Sequence, residues 1–263
     1  MASAARQPRI IGLDICRSAA IATVMLSHSI TESGLYAHYQ YDAGGFLVLR
    51  FLIQMAPPIF IILFGSMLEI IYRPRINAGQ GREVTTRLLT RALQCYILYV
   101  VTLLAMFAAG LNSFGYTLRC ALMMGITPYT DILKFYALAL AFAPGLLFLR
   151  KKMGLPALAL AALAVHFAFP LISHIIVPGK TFAAEYSNPV IGFLIGGEQH
   201  DVGGPSFLHG MTFVIWGMLL GRIITFLTQE TSSRADILNA TGTVLLMYVV
   251  ALATLAFYWN LDA

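Results

Sequence analysis

The chain has 263 residues, of which 59% are hydrophobic and only 11% are charged, and its net charge is +5. Soluble domains carry about 25% charged residues, so this composition excludes a soluble globular protein. The net positive charge does not indicate a nucleic-acid partner, because the basic residues lie between long apolar runs. We therefore predict an all-α, polytopic transmembrane helix bundle, with residues 1–263 forming a single domain in a lipid bilayer.

Seven apolar segments are long enough to cross a membrane as helices, and an eighth span would still fit. They lie at about residues 12–33, 50–72, 87–109, 131–149, 155–177, 206–228 and 236–259. Lysine and arginine concentrate on alternate connections, which the positive-inside rule places in the cytoplasm together with the N-terminus. The long outer connection 178–205 is predicted to be functional or mobile, and the segment 110–130 has room for a short interfacial helix.

The first apolar segment contains Arg17 and His28, with ten residues between them. Ionisable side chains are costly in hydrocarbon, so their presence there indicates a functional site. Eleven helical steps return to nearly the same face, about 16 Å along the axis. The two side chains therefore share a stripe but are too far apart to touch.

Two carboxylates flank that pair. Asp14 precedes Arg17 by three residues and can pair with it on the helix surface. Glu32 lies one turn beyond His28 and can orient its imidazole as a general base. Structural alternatives remain open, because Asp14 can cap the helix, Arg17 can extend to the headgroups and His28 can be a hydrogen-bonded core residue.

Further charges lie at the cytoplasmic ends of the second and third segments. Glu69 is level with Arg17 in this topology, and a pair between them would explain both charges, in a structural or a functional role. A cationic cluster follows, and its guanidinium groups suit the phosphates of a nucleotide-bearing donor. The alternative is the positive-inside rule together with anionic lipid. The four arginines predicted to bind the donor are Arg73, Arg75, Arg87 and Arg91.

The outer side offers fewer candidates. Asp131 and Tyr136, at the start of the fourth segment, are predicted to recognise hydroxyl groups of a sugar. The alternative is that Asp131 caps the helix and forms an ordinary surface pair with Lys134. The histidines at positions 166, 174, 200 and 209 lack the spacing of a metal site, so we predict no metal.

Several ordered motifs resemble the integral membrane acyltransferases of the acyltransferase family 3 superfamily. The first is Ile11-Gly-Leu-Asp-Ile-Cys-Arg17 followed by His28. Later blocks look closest to the OpgC-like branch, and they are Pro57–Gly65, Arg87–Tyr96, Asp131–Tyr136 and Phe213–Gly221. The heparan-α-glucosaminide N-acetyltransferase family has a similar first helix, so that branch remains open. Members commonly have about ten spans, and the chain is expected to lack some C-terminal helices of the family.

The resemblance implies a multi-pass acyltransferase of the bacterial inner membrane. A cytoplasmic acyl-CoA would be the co-substrate, with no permanently bound cofactor, and an acyl group such as succinyl or acetyl would pass to a hydroxyl of an extracytoplasmic glycan. His28 would be the base, while Arg17 and Asp14 would organise the donor end. The alternatives are a small-solute or proton-coupled transporter and a non-catalytic relative that descends from an acyltransferase.

Overall fold

The computed structural model describes residues 10–35, 53, 55–125, 130–175, 190, 193–195 and 206–228. The chain divides into two compact units, residues 1–63 and 64–263. A five-residue π-helix, Leu68–Tyr72, joins the second and third α-helices. The α-helices are α1 (Ile11–Glu32), α2 (Ala56–Met67), α3 (Arg73–Asn77), α4 (Gly81–Ala108), α5 (Phe114–Ala121), α6 (Asp131–Met153), α7 (Leu155–Ile175) and α8 (Phe207–Leu227).

Four stretches of helix are long and apolar enough to cross a membrane, which confirms the helical membrane bundle. They are Ala56–Asn77, Gly81–Ala108, Ile132–Met153 and Phe207–Leu227. α1 and α7 occupy the first and fifth predicted spans, and α5 falls within the segment predicted to hold a short helix. The seventh predicted span, 236–259, and most of the connection 178–205 lie outside the described residues.

Helix α4 illustrates why this bundle suits a bilayer. One face is buried and includes Leu88 and Leu103. The opposite face leaves Leu93, Ile97 and Val101 more than half exposed. An apolar stripe of this length on the outside of a bundle indicates an apolar surrounding medium rather than water.

Small residues bring α8 close to the end of α2 and the π-helix. A Cβ atom added to Gly65 would lie 1.9 Å from the carbonyl oxygen of Val214, so only glycine fits there. The Ser66 hydroxyl donates a hydrogen bond to the carbonyl oxygen of Gly217 at 2.9 Å. A Cβ on Gly221 would meet Ser66 and Glu69. Such close backbone approach between small residues is a common way to pack helices in membranes.

Helices α6 and α8 run in the same direction through the second unit. Near the start of α8, the Phe207 ring lies 6.0 Å from that of Phe135 and 5.2 Å from that of Phe142. Towards its end, Gly221 packs against Glu69, whose carboxylate binds Arg150 near the end of α6. The unit therefore has a cationic end, around Arg150, and an aromatic end, around Phe135 and Phe207.

Candidate functional sites

Glu69 organises the cationic end. Its side chain is 1% exposed and lies in the π-helix. The Arg73 guanidinium, four residues later, pairs with it. Arg150 contacts both oxygens, with Nη2 at 3.0 Å from Oε1 and Nε at 3.4 Å from Oε2. The described partners of Glu69 are thus Arg73 and Arg150, and its pairing with Arg17 stays a prediction.

A pocket of about 130 Å³ opens beside this ion-pair network. Its lining comprises Arg73, Ile76, Asn77, Leu147, Arg150, Lys151 and Gly154. Three cationic side chains therefore line the pocket beside a single buried carboxylate, that of Glu69, so the site keeps a net positive charge. Guanidinium groups that are held by a carboxylate present their remaining N–H donors in a fixed geometry, which suits a phosphate-sized anion.

Local sequence explains why the cations gather at this pocket. Arg150, Lys151 and Lys152 occupy the last turn of α6, where the helix dipole favours positive charge. Gly154 follows with φ of +87°, a backbone angle that glycine adopts without strain. This turn ends α6 and allows α7 to begin at Leu155.

The four arginines predicted from sequence are not all brought to this pocket. Arg73 lines it, whereas Arg75, Arg87 and Arg91 are not among its described lining residues. Arg87 is exposed on α4 and pairs with Glu83, one turn earlier, at 3.3 Å. The other cationic residues that line the pocket are Arg150 and Lys151. In the sequence, the positive-inside rule alone explains both of them.

The first unit carries the predicted catalytic stripe on α1. Asp14 and Arg17 are half-buried, whereas His28 is exposed. Asp14 also lines an open, largely apolar groove with Ile11, Ile15, Ser18 and Ala19. Glu32 ends α1, and its side chain lies outside the described part of the chain.

The predicted acceptor residues lie at the aromatic end. Tyr136 is half-buried, with its ring 5.7 Å from that of Phe64, and the Asp131 side chain lies outside the described residues. The interpretation of Lys134 as a member of an ordinary surface pair is wrong, because Lys134 is fully buried. Its ammonium donates to the carbonyl oxygen of Gly125 at 3.2 Å and lies 4.2 Å from the centre of the Phe193 ring.

A histidine pair joins α7 to α8, and sequence reasoning missed it. Nδ1 of His166 lies 2.8 Å from Nε2 of His209. The Phe169 ring stacks on His209 at 4.2 Å. The two histidines are 43 residues apart, and the only signal in the sequence was an ionisable residue in each of two apolar helices. Among the residues that the structure describes, no three His, Cys, Asp or Glu side chains are grouped to hold a metal ion.

These features define a polytopic helical membrane protein with a cationic pocket at one end of its bundle. Residues 9–260 match the family described as heparan-alpha-glucosaminide N-acetyltransferase, catalytic. The match covers nearly the whole chain, and the protein belongs to this family of membrane acyltransferases. It is therefore an enzyme of acetyltransferase type. The family is one of the two branches that the first-helix motif left open, and the OpgC-like branch is not confirmed. No curated protein and no solved structure matches the chain.

Proposed function

We propose that the protein moves an acyl group, such as acetyl or succinyl, from a cytoplasmic acyl-CoA to a hydroxyl group of an extracytoplasmic glycan. The bacterial inner membrane would be its location. The observation that carries this proposal is the cationic pocket of Arg73, Arg150 and Lys151 around Glu69. An acyl-CoA offers phosphate groups that match this excess of positive charge.

The donor would bind with its phosphates in that pocket, and the pantetheine arm would carry the thioester into the membrane. Glu69 would contribute indirectly, because its carboxylate holds two of the three cations in place. Arg75, Arg87 and Arg91 would add to the positive field around the entrance and so raise the rate of donor association.

The first unit would supply the proton chemistry. His28 would take the proton of the acceptor hydroxyl while the hydroxyl oxygen attacks the thioester carbon. Glu32 would orient the imidazole of His28. The carbon–sulfur bond then breaks, and the thiolate leaves with its electron pair and takes up a proton. Arg17 and Asp14 would organise the donor end of this path.

The acceptor would enter from the opposite side, near Asp131 and Tyr136. A glycan hydroxyl is the acceptor that we propose. The name of the matched family refers to N-acetylation of a glucosaminide, so an amino sugar is the second acceptor to test. Both nucleophiles fit the same acyl-transfer step.

The direct test uses the purified protein in lipid nanodiscs with labelled acetyl-CoA or succinyl-CoA. Transfer to a hydroxylated oligosaccharide and to an amino sugar is compared with transfer from acetyl-pantetheine, which lacks the nucleotide phosphates. We expect transfer from acyl-CoA and a KM about 100-fold higher for acetyl-pantetheine, since several charge-assisted contacts are lost. Equal use of both donors would contradict the pocket assignment, and absence of transfer from either donor to any acceptor would contradict the function.

A further inference from the structure

The Glu69 carboxylate fixes how the two arginines of the cationic pocket present their donors. Arg150 gives its Nε and Nη2 atoms to the two carboxylate oxygens, so Glu69 leaves the N–H donors of its Nη1 atom for another acceptor. Arg73 pairs through Nη1, which leaves its Nε and Nη2 donors in the same way. A ligand in the pocket therefore meets guanidinium groups that are already oriented, which strengthens charge-assisted hydrogen bonds to an anion.

The size of the pocket matches one phosphate group. The volume is about 130 Å³, and a water molecule takes up about 30 Å³ of the liquid. About four groups of this size fill the pocket, and a phosphate group has the same number of oxygen atoms. Two linked phosphates or a nucleoside exceed this volume and would have to extend out of the pocket.

The charge of the pocket favours a phosphate with two negative charges over a phosphate with one. Arg73, Arg150 and Lys151 surround a site that holds the single carboxylate of Glu69, which leaves a formal charge of +2. The C-terminal end of α6 lies here and subtracts about half a charge through the helix dipole. A phosphodiester carries one negative charge and leaves part of the excess unbalanced. A phosphomonoester carries about −1.5 to −2 at pH 7 and balances it.

Donors reach the pocket from two helices. Arg73 and Asn77 belong to α3, whereas Arg150 and Lys151 belong to the last turn of α6. A phosphomonoester presents three terminal oxygens, each a strong acceptor. A phosphodiester keeps one oxygen fewer, because two of its oxygens are bonded to carbon or to another phosphorus. The monoester can therefore accept from both helices at once.

We propose that this pocket is a site for a single phosphomonoester dianion. In an acyl-CoA that group is the phosphate on the ribose, and its assignment to the donor rests on the proposed function. The two phosphates that link the adenosine to the pantetheine arm are of the diester type and would lie at the mouth of the pocket. The protein would thus discriminate against acyl donors without the ribose phosphate. Free inorganic phosphate offers the same chemistry and is the second source of the ligand.

Two small phosphates test the charge requirement. Methyl phosphate is a monoester and dimethyl phosphate is a diester of similar size. Thermal unfolding in an uncharged, phosphate-free detergent at constant ionic strength reports the binding of each as a shift in Tm. We expect methyl phosphate to bind about tenfold more tightly. Lys151→Gln should remove most of this preference, while Lys152→Gln, outside the described lining, should keep it. Equal binding of the two phosphates, or no binding of methyl phosphate, would contradict the site.

Titration with CoA and with dephospho-CoA, which lacks only the ribose phosphate, identifies the source of the monoester. We expect dephospho-CoA to bind about tenfold more weakly, and inorganic phosphate to compete with CoA but not with dephospho-CoA. If methyl phosphate binds while CoA and dephospho-CoA bind equally, the phosphate site stands and its assignment to the donor is wrong. If CoA binds through the ribose phosphate but acyl-CoA acylates no acceptor, the proposed function fails and the phosphate site stands.

Discussion

The two ends of the second unit handle polar groups inside a membrane protein in opposite ways. At the cationic end, buried charges are balanced by a carboxylate, and the excess positive charge faces a pocket. At the aromatic end, two imidazoles bind each other and are surrounded by phenylalanine rings. The first arrangement suits the binding of an anion, whereas the second joins α7 to α8 through a hydrogen bond between two polar rings. Under the proposed function, the donor would bind at the cationic end of this unit and the acceptor would enter at its aromatic end.

Replacing His28, the proposed general base, has the largest expected effect. In His28→Ala, we expect kcat/KM for acyl transfer to fall about 10²–10⁴-fold, the usual contribution of general base catalysis. The neighbouring Ser29→Ala is the control, since the described hydrogen bond of this exposed hydroxyl goes to the Met25 carbonyl of its own helix. Transfer assays of both variants in nanodiscs measure the effect, and full activity of a folded His28→Ala protein would remove His28 from the mechanism.

Glu69→Gln tests whether the cationic end depends on its buried carboxylate. Two guanidinium groups would lose their counter-charge, one of them on the buried Arg150, and we expect the free energy of unfolding to fall by about 3–5 kcal/mol. Glu83→Gln removes one partner of the exposed Glu83–Arg87 pair and is expected to cost less than about 0.5 kcal/mol. Denaturation in detergent measures the free energy of unfolding of both variants. Equal losses in Glu69→Gln and Glu83→Gln would show that burial of the Glu69 ion pairs does not matter for stability.

The close packing of α8 on α2 connects the two ends, and Gly65→Ala tests it. The added Cβ would lie 1.9 Å from the Val214 carbonyl oxygen, so the helices must separate. We expect a loss of about 1–3 kcal/mol of unfolding free energy.

Gly145→Ala is the matched control, because no neighbour from the described part of the chain lies within 4 Å of its added Cβ in α6. Alanine is a better helix former than glycine, so this variant is expected to gain up to about 1 kcal/mol. Equal thermal stability of the two variants would contradict the close helix contact at Gly65.

Much of the fold is readable from the sequence, because apolar runs have the length of a membrane span and basic residues mark the ends of the helices. Arg73 was predicted to belong to a phosphate site, and it lines the pocket. Arg150 was not predicted to belong to a phosphate site, because the positive-inside rule already explains a basic residue at a cytoplasmic helix end. Its role depends on Glu69, 81 residues away, and such a long-range contact leaves no local pattern.

The same limit applies to the histidine pair. His166 and His209 each look like an isolated polar residue in an apolar helix, and only the packing of α7 against α8 brings their nitrogens together. Lys134 was read as a surface residue because it lies near a predicted helix start, but the carbonyl of Gly125 and the Phe193 ring bury it. Periodicity indicates which face of a helix is apolar, but it does not identify the residue of another helix that packs against that face.

The most direct test of the account compares two adjacent lysines. Both side chains are exposed, but Lys151 lines the cationic pocket, whereas Lys152 is not among its described lining residues. Calorimetric titration of the nanodisc protein with CoA should give a Kd about tenfold weaker for Lys151→Gln, equivalent to about 1.4 kcal/mol. Lys152→Gln should bind within twofold of wild type. Equal affinities of the two variants, or no binding of CoA by wild type, would contradict the assignment of the donor to this end of the bundle.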